Sequence, residues 1–92
     1  MALTKAQRTA MTLIKDNPGR VLAYFGKSVY TRAGVPGAIC ISYTVERNLL
    51  AVGAVRRVDT GRTFEHTVYG IRYTEKIESL ELTGIGREAL RK

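Results

Sequence analysis

The fold is decided by residues 42–55, which read SYTVERNLLAVGAV. Ser42 is suited to start a helix, because its hydroxyl can accept a hydrogen bond from an amide of the first turn, and Gly53 is suited to end it. Three apolar residues fall on one stripe at about 100° per residue: Val45, Leu49 and Val52. The spacing therefore predicts a helix with one apolar side. The residues placed away from the stripe or on its flanks are Tyr43, Thr44, Glu46, Arg47, Asn48 and Leu50.

Another helix is predicted upstream, over residues 4–15. Thr4 and Gln7 stand at capping-box spacing, so that each side chain can bond the backbone amide of the other residue. Four apolar residues then recur at helical spacing and predict the side that faces the core: Ala6, Ala10, Leu13 and Ile14. Residues 17–19, Asn-Pro-Gly, end this helix, because the residue before a proline is disfavoured in the helical conformation and glycine can turn the chain.

Between these two helices the pattern predicts strands. Residues 21–25 and 28–31 are rich in β-branched and aromatic side chains and flank residues 26–27, Gly-Lys, as in a hairpin. Residues 33–37 predict a loop. Residues 38–41 fit either a short helical turn or an extended connector, and the sequence does not decide between them.

Downstream of residue 53 the sequence predicts a second hairpin. Its segments, in order, are a strand over 54–58, a turn at 59–62, a return strand over 63–73, a break near 74–75 and a final strand over 77–82. Three residues of the return strand alternate as in a half-buried strand: Tyr69, Ile71 and Tyr73. Thr83 then caps a short terminal helix over residues 84–90, in which Ile85 and Ala89 share a face.

Length and composition indicate one globular domain that covers residues 1–92. Apolar residues make up 45% and charged residues 25% of the chain, an ordinary balance for a folded domain. No apolar run approaches the roughly 20 residues that cross a bilayer, and the first residues lack the apolar core of a signal peptide. The sequence therefore predicts a cytoplasmic protein that does not bind membranes.

The sequence contains little that suits catalysis or metal binding. Cys40 and His66 are the only cysteine and the only histidine, which excludes an intramolecular disulfide and a metal site built on several thiolates. Cys40 lies between isoleucines and is interpreted as a small buried hydrophobic residue. Paired carboxylates in a pocket pattern and a phosphate-cradling glycine loop are also missing. We therefore expect no enzymatic activity, no metal and no small-molecule cofactor.

The positive charge is distributed unevenly along the chain. The formal net charge is +7; residues 1–62 carry ten Lys or Arg against three Asp or Glu, whereas residues 63–92 carry five of each kind. A basic surface that only faces water would explain this excess. A face that binds a polyanion, and gains affinity from counterion release, is the more specific explanation and the one we favour. Glu75, Glu78 and Glu81 form an acidic stretch that would keep the end of the sheet away from such a polyanion.

Three blocks of the sequence resemble winged helix-turn-helix DNA-binding proteins of bacteria and their phages. Residues 42–55 are similar to the recognition helix and the strand after it, residues 3–8 (LTKAQR) to the opening of these proteins, and residues 82–90 (LTGIGREAL) to their ending after the wing. The resemblance implies an α+β fold, a small winged-helix domain whose helices pack on a short antiparallel sheet. It also implies binding of double-stranded DNA by a transcriptional regulator. The family usually has a clear helix before the recognition helix, where residues 20–31 here predict strands.

The candidate DNA-binding residues lie on the predicted helix and in the basic segment after it. A helix fits the major groove of B-DNA, where Arg47 can bond a guanine edge or a phosphate with two donors and Asn48 can either bond adenine or only face water. Hydroxyl groups near the helix start suit phosphate. Arg56 and Arg57 point to opposite faces of a strand, so that one of them is structural, and with Arg62 they fit a wing. The full predicted set is Ser42, Tyr43, Thr44, Arg47, Asn48, Arg56, Arg57 and Arg62.

Other interpretations stay open. Lys5, Arg8 and Lys27 either add phosphate contacts or form a solvated face. The aromatic residues would suit stacking of single-stranded bases, although tyrosines at alternating strand positions more often complete a core. Leu50, which the helical wheel exposes beside Arg47, favours a different class, a small protein-binding module such as a phage-encoded inhibitor of a host protein. A homodimer stays open as well, because palindromic DNA sites pair with two-fold symmetric proteins.

Overall fold

The computed structural model describes residues 2–25 and 32–92. In chain order, the elements of these residues are helix α1 (Lys5–Asp16), a short 3₁₀ helix (Arg32–Gly34), helix α2 (Tyr43–Ala51), strand β1 (Val55–Val68), strand β2 (Ile71–Leu82) and helix α3 (Gly84–Arg91). The two strands form an antiparallel sheet. The described part of the chain is therefore an α+β domain, as the sequence predicts. Within it, no helix has both the length and the apolar character that a membrane crossing requires.

Helix α1 starts as its sequence predicts. The Gln7 amide donates to the Thr4 hydroxyl over 3.1 Å and the Thr4 amide donates to the Gln7 side chain over 2.9 Å, so the capping box is complete. The buried residues of the helix are Ala10, Met11 and Ile14. Ala6 and Leu13, which the predicted stripe included, are exposed. The packed face is therefore rotated toward Met11, and Leu13 lies at its border.

The segment that follows α1 is extended and lies beside β2. Val21 forms a single parallel bridge to Ile39, and Leu22 forms a single antiparallel bridge to Ser79. The bridge to Ser79 consists of two backbone hydrogen bonds, which join Val21 to Leu80 over 2.8 Å and Ala23 to Glu78 over 2.9 Å. These bonds pair the polar backbone of a segment whose side chains are buried, as a protein interior requires.

Predictions for the rest of this region have different outcomes. Residues 38–41 are extended, so the connector interpretation is confirmed and the helical turn is wrong. The hairpin predicted around residues 26–27, with its second strand at 28–31, falls on residues outside the described part of the chain. The 3₁₀ helix Arg32–Gly34 overlaps the start of the loop that the sequence predicts at residues 33–37.

The β1–β2 hairpin turns later in the chain than predicted. β1 continues through residues 59–62, where the register shifts and a bulge replaces the predicted turn. In this bulge the Asp59 carboxylate accepts a hydrogen bond from the Gly61 amide over 2.8 Å. The chain reverses instead at Tyr69 and Gly70, whose φ values of 52° and 76° suit a two-residue turn of type I′. The turn predicted at residues 59–62 is therefore wrong.

The position of the turn also changes which hairpin residues are buried. The predicted break near residues 74–75 is absent, since both lie inside β2. Of the three residues predicted to be half-buried at alternate positions, only Tyr73 is. Tyr69 is 99% exposed at the turn, and Ile71 beside it is exposed. The end of the hairpin therefore projects from the core, and the domain is elongated, with extents of 48 × 22 × 19 Å.

Two apolar clusters form the core. The larger joins α1, α2, the start of β1 and the end of β2, and it contains the fully buried Met11, Leu49 and Ala54. The smaller contains Phe25 and Ile77 and extends toward the middle of the hairpin. The helices therefore pack against one end of the sheet, and the turn at its other end is exposed.

Helix α3 packs on Ala54, the residue before β1. Thr83 caps it as predicted, because its hydroxyl accepts a hydrogen bond from the Gly86 amide over 3.1 Å. Gly86 meets the backbone of Ala54 so closely that an added Cβ would lie 2.0 Å from the Ala54 carbonyl oxygen. Ala89 is buried, whereas Ile85, predicted on the same face, is exposed. The packed face of α3 is thus the side of Gly86 and Ala89.

Candidate functional site

Helix α2 exposes the polar side that its sequence predicts. Four residues of the predicted site form this side, and each is exposed: Tyr43, Thr44, Arg47 and Asn48. At 100° per residue they span an arc of about 140°. Ser42 precedes them as the exposed N-cap, although its hydroxyl does not make the predicted capping bond. The structure therefore brings all five helix residues of the predicted site to one surface.

The opposite side of α2 differs from the predicted apolar stripe. Leu49 is fully buried as predicted, but so is Glu46, which the wheel placed on a flank. Val52 is exposed, because the helix ends one residue earlier and Gly53 turns the chain with a φ of 74°. Leu50, predicted to be exposed, is half-buried and packs against the larger core cluster. The centre of the buried side is therefore the Glu46 and Leu49 edge of the helix.

The buried carboxylate of Glu46 holds α2 against the rest of the domain. Its oxygens accept hydrogen bonds from the Tyr24 amide, at 2.9 and 3.1 Å, and from Arg32 Nη1, at 2.8 Å. Arg32 is only 7% exposed and also donates to the carbonyl groups of Leu22 and Ile41. Both buried charges are thus paired and hydrogen-bonded, as burial of a charge requires.

Two adjacent tyrosine rings lie between the guanidinium group of Arg32, which belongs to this ion pair, and that of Arg47. The ring centroids of Tyr24 and Tyr43 are 4.7 Å apart. The Arg47 guanidinium lies 5.8 Å from the centroid of the Tyr43 ring, and the Arg32 guanidinium lies 5.9 Å from that of Tyr24. We call these four residues the tyrosine stack. Sequence reasoning missed Tyr24 and Arg32 as part of the site, because neither lies near α2 in the chain.

The adjacent arginines of β1 point to opposite faces of the strand, as predicted. Arg57 Nη2 lies 3.9 Å from Glu46 Oε2, and the Arg57 side chain is 43% exposed. Arg56 instead pairs with Glu81 over 2.9 Å, and both of these side chains are exposed. Of the two arginines, only Arg57 is therefore brought to α2.

Arg62 does not lie at the end of the hairpin, as the predicted turn required. It lies at the bulge, where it lines a shallow concavity of about 130 Å³ together with Arg20. The turn itself is formed by Tyr69 and Gly70, and Arg72 follows it on β2. The structure thus separates Arg62 from the residues on α2.

Of the three cations predicted as additional phosphate contacts, one is used inside the protein. Arg8 donates hydrogen bonds to the carbonyl oxygens of Leu90 and Lys92, over 3.1 and 3.0 Å, and so fastens the end of α3 to α1. Lys5 is exposed, and Lys27 lies outside the described residues. Two of the five N–H donors of Arg8 are therefore used within the protein.

The single cysteine and the single histidine have different surroundings. Cys40, predicted to be buried, is exposed, because in the extended connector its side chain alternates with those of Ile39 and Ile41. The His66 ring lies on β1, 6.0 Å from the Phe64 ring and 5.6 Å from the Tyr73 ring. In the described ranges, no three His, Cys, Asp or Glu residues are grouped closely enough to hold a metal ion.

Some arginines have no hydrogen-bonded or ionic partner for their side chain within residues 2–25 and 32–92. They are Arg20, Arg47, Arg62 and Arg72. Only Arg47 lies on α2, so its five N–H donors are directed to a ligand or to solvent.

No protein-family model, curated protein or solved structure gives a match to this chain. The function is therefore inferred from the geometry and chemistry of the surface around α2.

Proposed function

We propose that this chain is a winged helix-turn-helix protein that binds double-stranded DNA, with α2 in the major groove and the β1–β2 hairpin as the wing. The polar side of α2 carries the proposal, since it presents an unpaired Arg47 on a helix whose other side is anchored by buried Glu46. The major groove of B-DNA, about 12 Å wide, accepts one helix. The protein would act by occupying its site, as a transcriptional regulator of bacterial or phage origin, and not by catalysis.

The connection between α2 and the hairpin supports the winged-helix assignment. α2 ends at Ala51 and β1 begins at Val55, so only residues 52–54 separate the helix from the hairpin, as in the family that the sequence resembles. β2 has 12 residues, which span roughly 40 Å at 3.3 Å per residue. One turn of B-DNA is about 34 Å long. The hairpin is therefore long enough to contact the DNA backbone outside the groove that α2 enters.

Unpaired positive charge supports a phosphate-binding role for the hairpin. Arg62 and Arg72 are exposed and lie along its two strands. Beside α2, the single carboxylate of Glu46 lies 2.8 Å from Arg32 and 3.9 Å from Arg57, so these three groups together keep one positive charge. Positive side chains of this kind displace counterions from DNA and so gain affinity.

The alternative of a protein-binding module has less support from α2. That interpretation depended on an exposed Leu50, and Leu50 is half-buried against the core. Retention of one host protein in a pull-down after nuclease treatment would favour this alternative over DNA binding.

Replacing Arg47 with alanine is expected to weaken binding to a preferred duplex by about 1–3 kcal/mol and to relax the base preference. The expected loss follows from the removal of two donors that bond a base edge. The measurement is a fluorescence anisotropy titration of labelled duplexes at one fixed salt concentration, because affinity for DNA depends strongly on salt.

The matched control for this variant is Arg91→Ala. Arg91 is an exposed arginine of α3 that pairs with Glu88 over 3.4 Å, so its replacement removes the same charge far from α2 in the chain. We expect this control to change affinity little. Equal losses for both variants would contradict the role of α2, and no duplex binding by the intact protein at low salt would contradict the proposed function itself.

A further inference from the structure

Within the described residues, the Arg47 guanidinium has a cation–π contact and no hydrogen-bonded or ionic partner. Within the described part of the chain, its only contact of this kind is with the Tyr43 ring, whose centroid lies 5.8 Å from the guanidinium carbon. A guanidinium group that lies over a ring keeps its N–H donors free, because these donors lie in the plane of the group. The contact thus restricts the side chain before binding, which lowers the conformational entropy that binding must remove.

Tyr43 in turn depends on a second ring for its position. It is 44% exposed and lies at the start of α2, and the ring that contacts it is that of Tyr24, 4.7 Å away. Tyr24 is half-buried, and its amide donates to both carboxylate oxygens of the fully buried Glu46. Since Glu46 is itself a residue of α2, Tyr24 is fixed to the same helix that its ring supports.

We propose that Tyr24 is a positioning residue that makes the site selective for guanine. Its ring fixes Tyr43, and Tyr43 fixes the Arg47 guanidinium with its donors directed outward. Guanine presents two acceptors in the major groove, O6 and N7, whereas adenine has an amino donor in place of O6. An arginine fixed in this way bonds guanine with two donors and leaves adenine with one. This inference rests on the proposed function, because it concerns the base preference of the same surface.

The test compares wild-type protein with Tyr24→Leu and Tyr24→Phe. The wild-type protein first selects its preferred duplexes from a randomised library. Each guanine that is enriched is then replaced with adenine, and binding by Arg47→Ala is measured. The position used for the test is a guanine whose replacement leaves binding by Arg47→Ala unchanged, because that guanine is recognised through Arg47. Anisotropy titrations of the guanine and adenine duplexes then give the discrimination of each variant. Thermal unfolding monitored by circular dichroism establishes that each variant is folded.

We expect the wild type and Tyr24→Phe, which keeps the ring, to prefer guanine by roughly 5- to 140-fold. Tyr24→Leu is expected to reduce this preference to below about threefold, while its affinity for an unselected duplex changes less than about twofold, because phosphate contacts carry no sequence information. If Tyr24→Leu does not fold, substitutions of the more exposed Tyr43 provide a second comparison. Tyr43→Leu is expected to lose the preference for guanine, and Tyr43→Phe is expected to keep it.

Two results would overturn the inference while leaving DNA binding intact. The first is full guanine preference in the leucine variants. The second is wild-type protein that binds duplexes without any guanine preference that depends on Arg47. A wild-type protein that binds no duplex at all would instead remove the proposed function.

Discussion

Replacement of Glu46 with alanine is expected to lower the free energy of unfolding by about 3–5 kcal/mol. The variant leaves the Arg32 guanidinium, 7% exposed, without the carboxylate that lies 2.8 Å away. It also removes the acceptor of the Tyr24 amide, and an unsatisfied buried donor adds its own cost. Because whole domains are stable by only about 5–15 kcal/mol, this loss should greatly lower the urea concentration at which half of the protein is unfolded. Urea titration followed by circular dichroism measures it.

The control is Glu81→Ala, which breaks an ion pair of nearly the same length. Arg56 and Glu81 lie 2.9 Å apart, but both are exposed, and exposed pairs contribute about 0–1 kcal/mol. A loss for Glu46→Ala no larger than that for Glu81→Ala would show that burial of the Glu46 carboxylate does not anchor α2.

The second large effect is expected for Gly86→Ala, at about 3 kcal/mol of destabilisation, the upper end for overpacking. A Cβ at this position would lie 2.0 Å from the Ala54 carbonyl oxygen and 2.9 Å from its carbonyl carbon. Because the obstacle is the backbone of Ala54, α3 must move away from this residue to admit the methyl group. This expected loss of stability is opposite to the usual effect of replacing glycine with alanine inside a helix, which stabilises by roughly 0.5–1 kcal/mol.

Gly84 provides the same substitution in the same helix without the contact. Apart from its chain neighbours and the backbone of its own helix, nothing lies within 4 Å of a Cβ built at Gly84. Gly84→Ala should therefore leave the free energy of unfolding unchanged or raise it by up to about 1 kcal/mol. Thermal unfolding of both variants measures the difference. Similar stabilities for the two would contradict the close packing of α3 on Ala54.

The helix starts could be predicted because their signals are local. Thr4 and Gln7 form the predicted capping box, and Thr83 caps α3. Each cap joins residues only three positions apart, so the pattern in the sequence is also the contact in the structure. The exposed arc of α2 could be predicted for the same reason, since it follows from the helical period alone.

The hairpin was only partly predictable, because two glycine-containing pairs compete for its turn. Gly61 and Gly70 both have positive φ. Each is followed by a run of residues whose pattern predicts a strand. Local chemistry favours the Asp-Thr-Gly segment, since aspartate is common in turns, while Tyr69 has the positive φ that non-glycine residues seldom adopt. The pairing of β1 with β2 decides between them, and this pairing is not a local property.

Burial of Glu46 and the tyrosine stack could not be predicted from helical periodicity. A charged residue next to an apolar stripe is normally placed in solvent. Here the partners are Arg32 and the Tyr24 amide, which lie 14 and 22 residues away in the chain. The sequence therefore predicts which residues of α2 face outward, but not what holds the helix in place.

The most direct measurement is amide chemical-shift mapping of the isotope-labelled protein during titration with a mixed-sequence DNA duplex at low salt. We expect the largest changes at Tyr43, Thr44, Arg47, Asn48 and Arg57, with smaller changes along the hairpin. No changes, or changes confined to α1 and α3, would contradict the assignment of α2 as the DNA-binding surface.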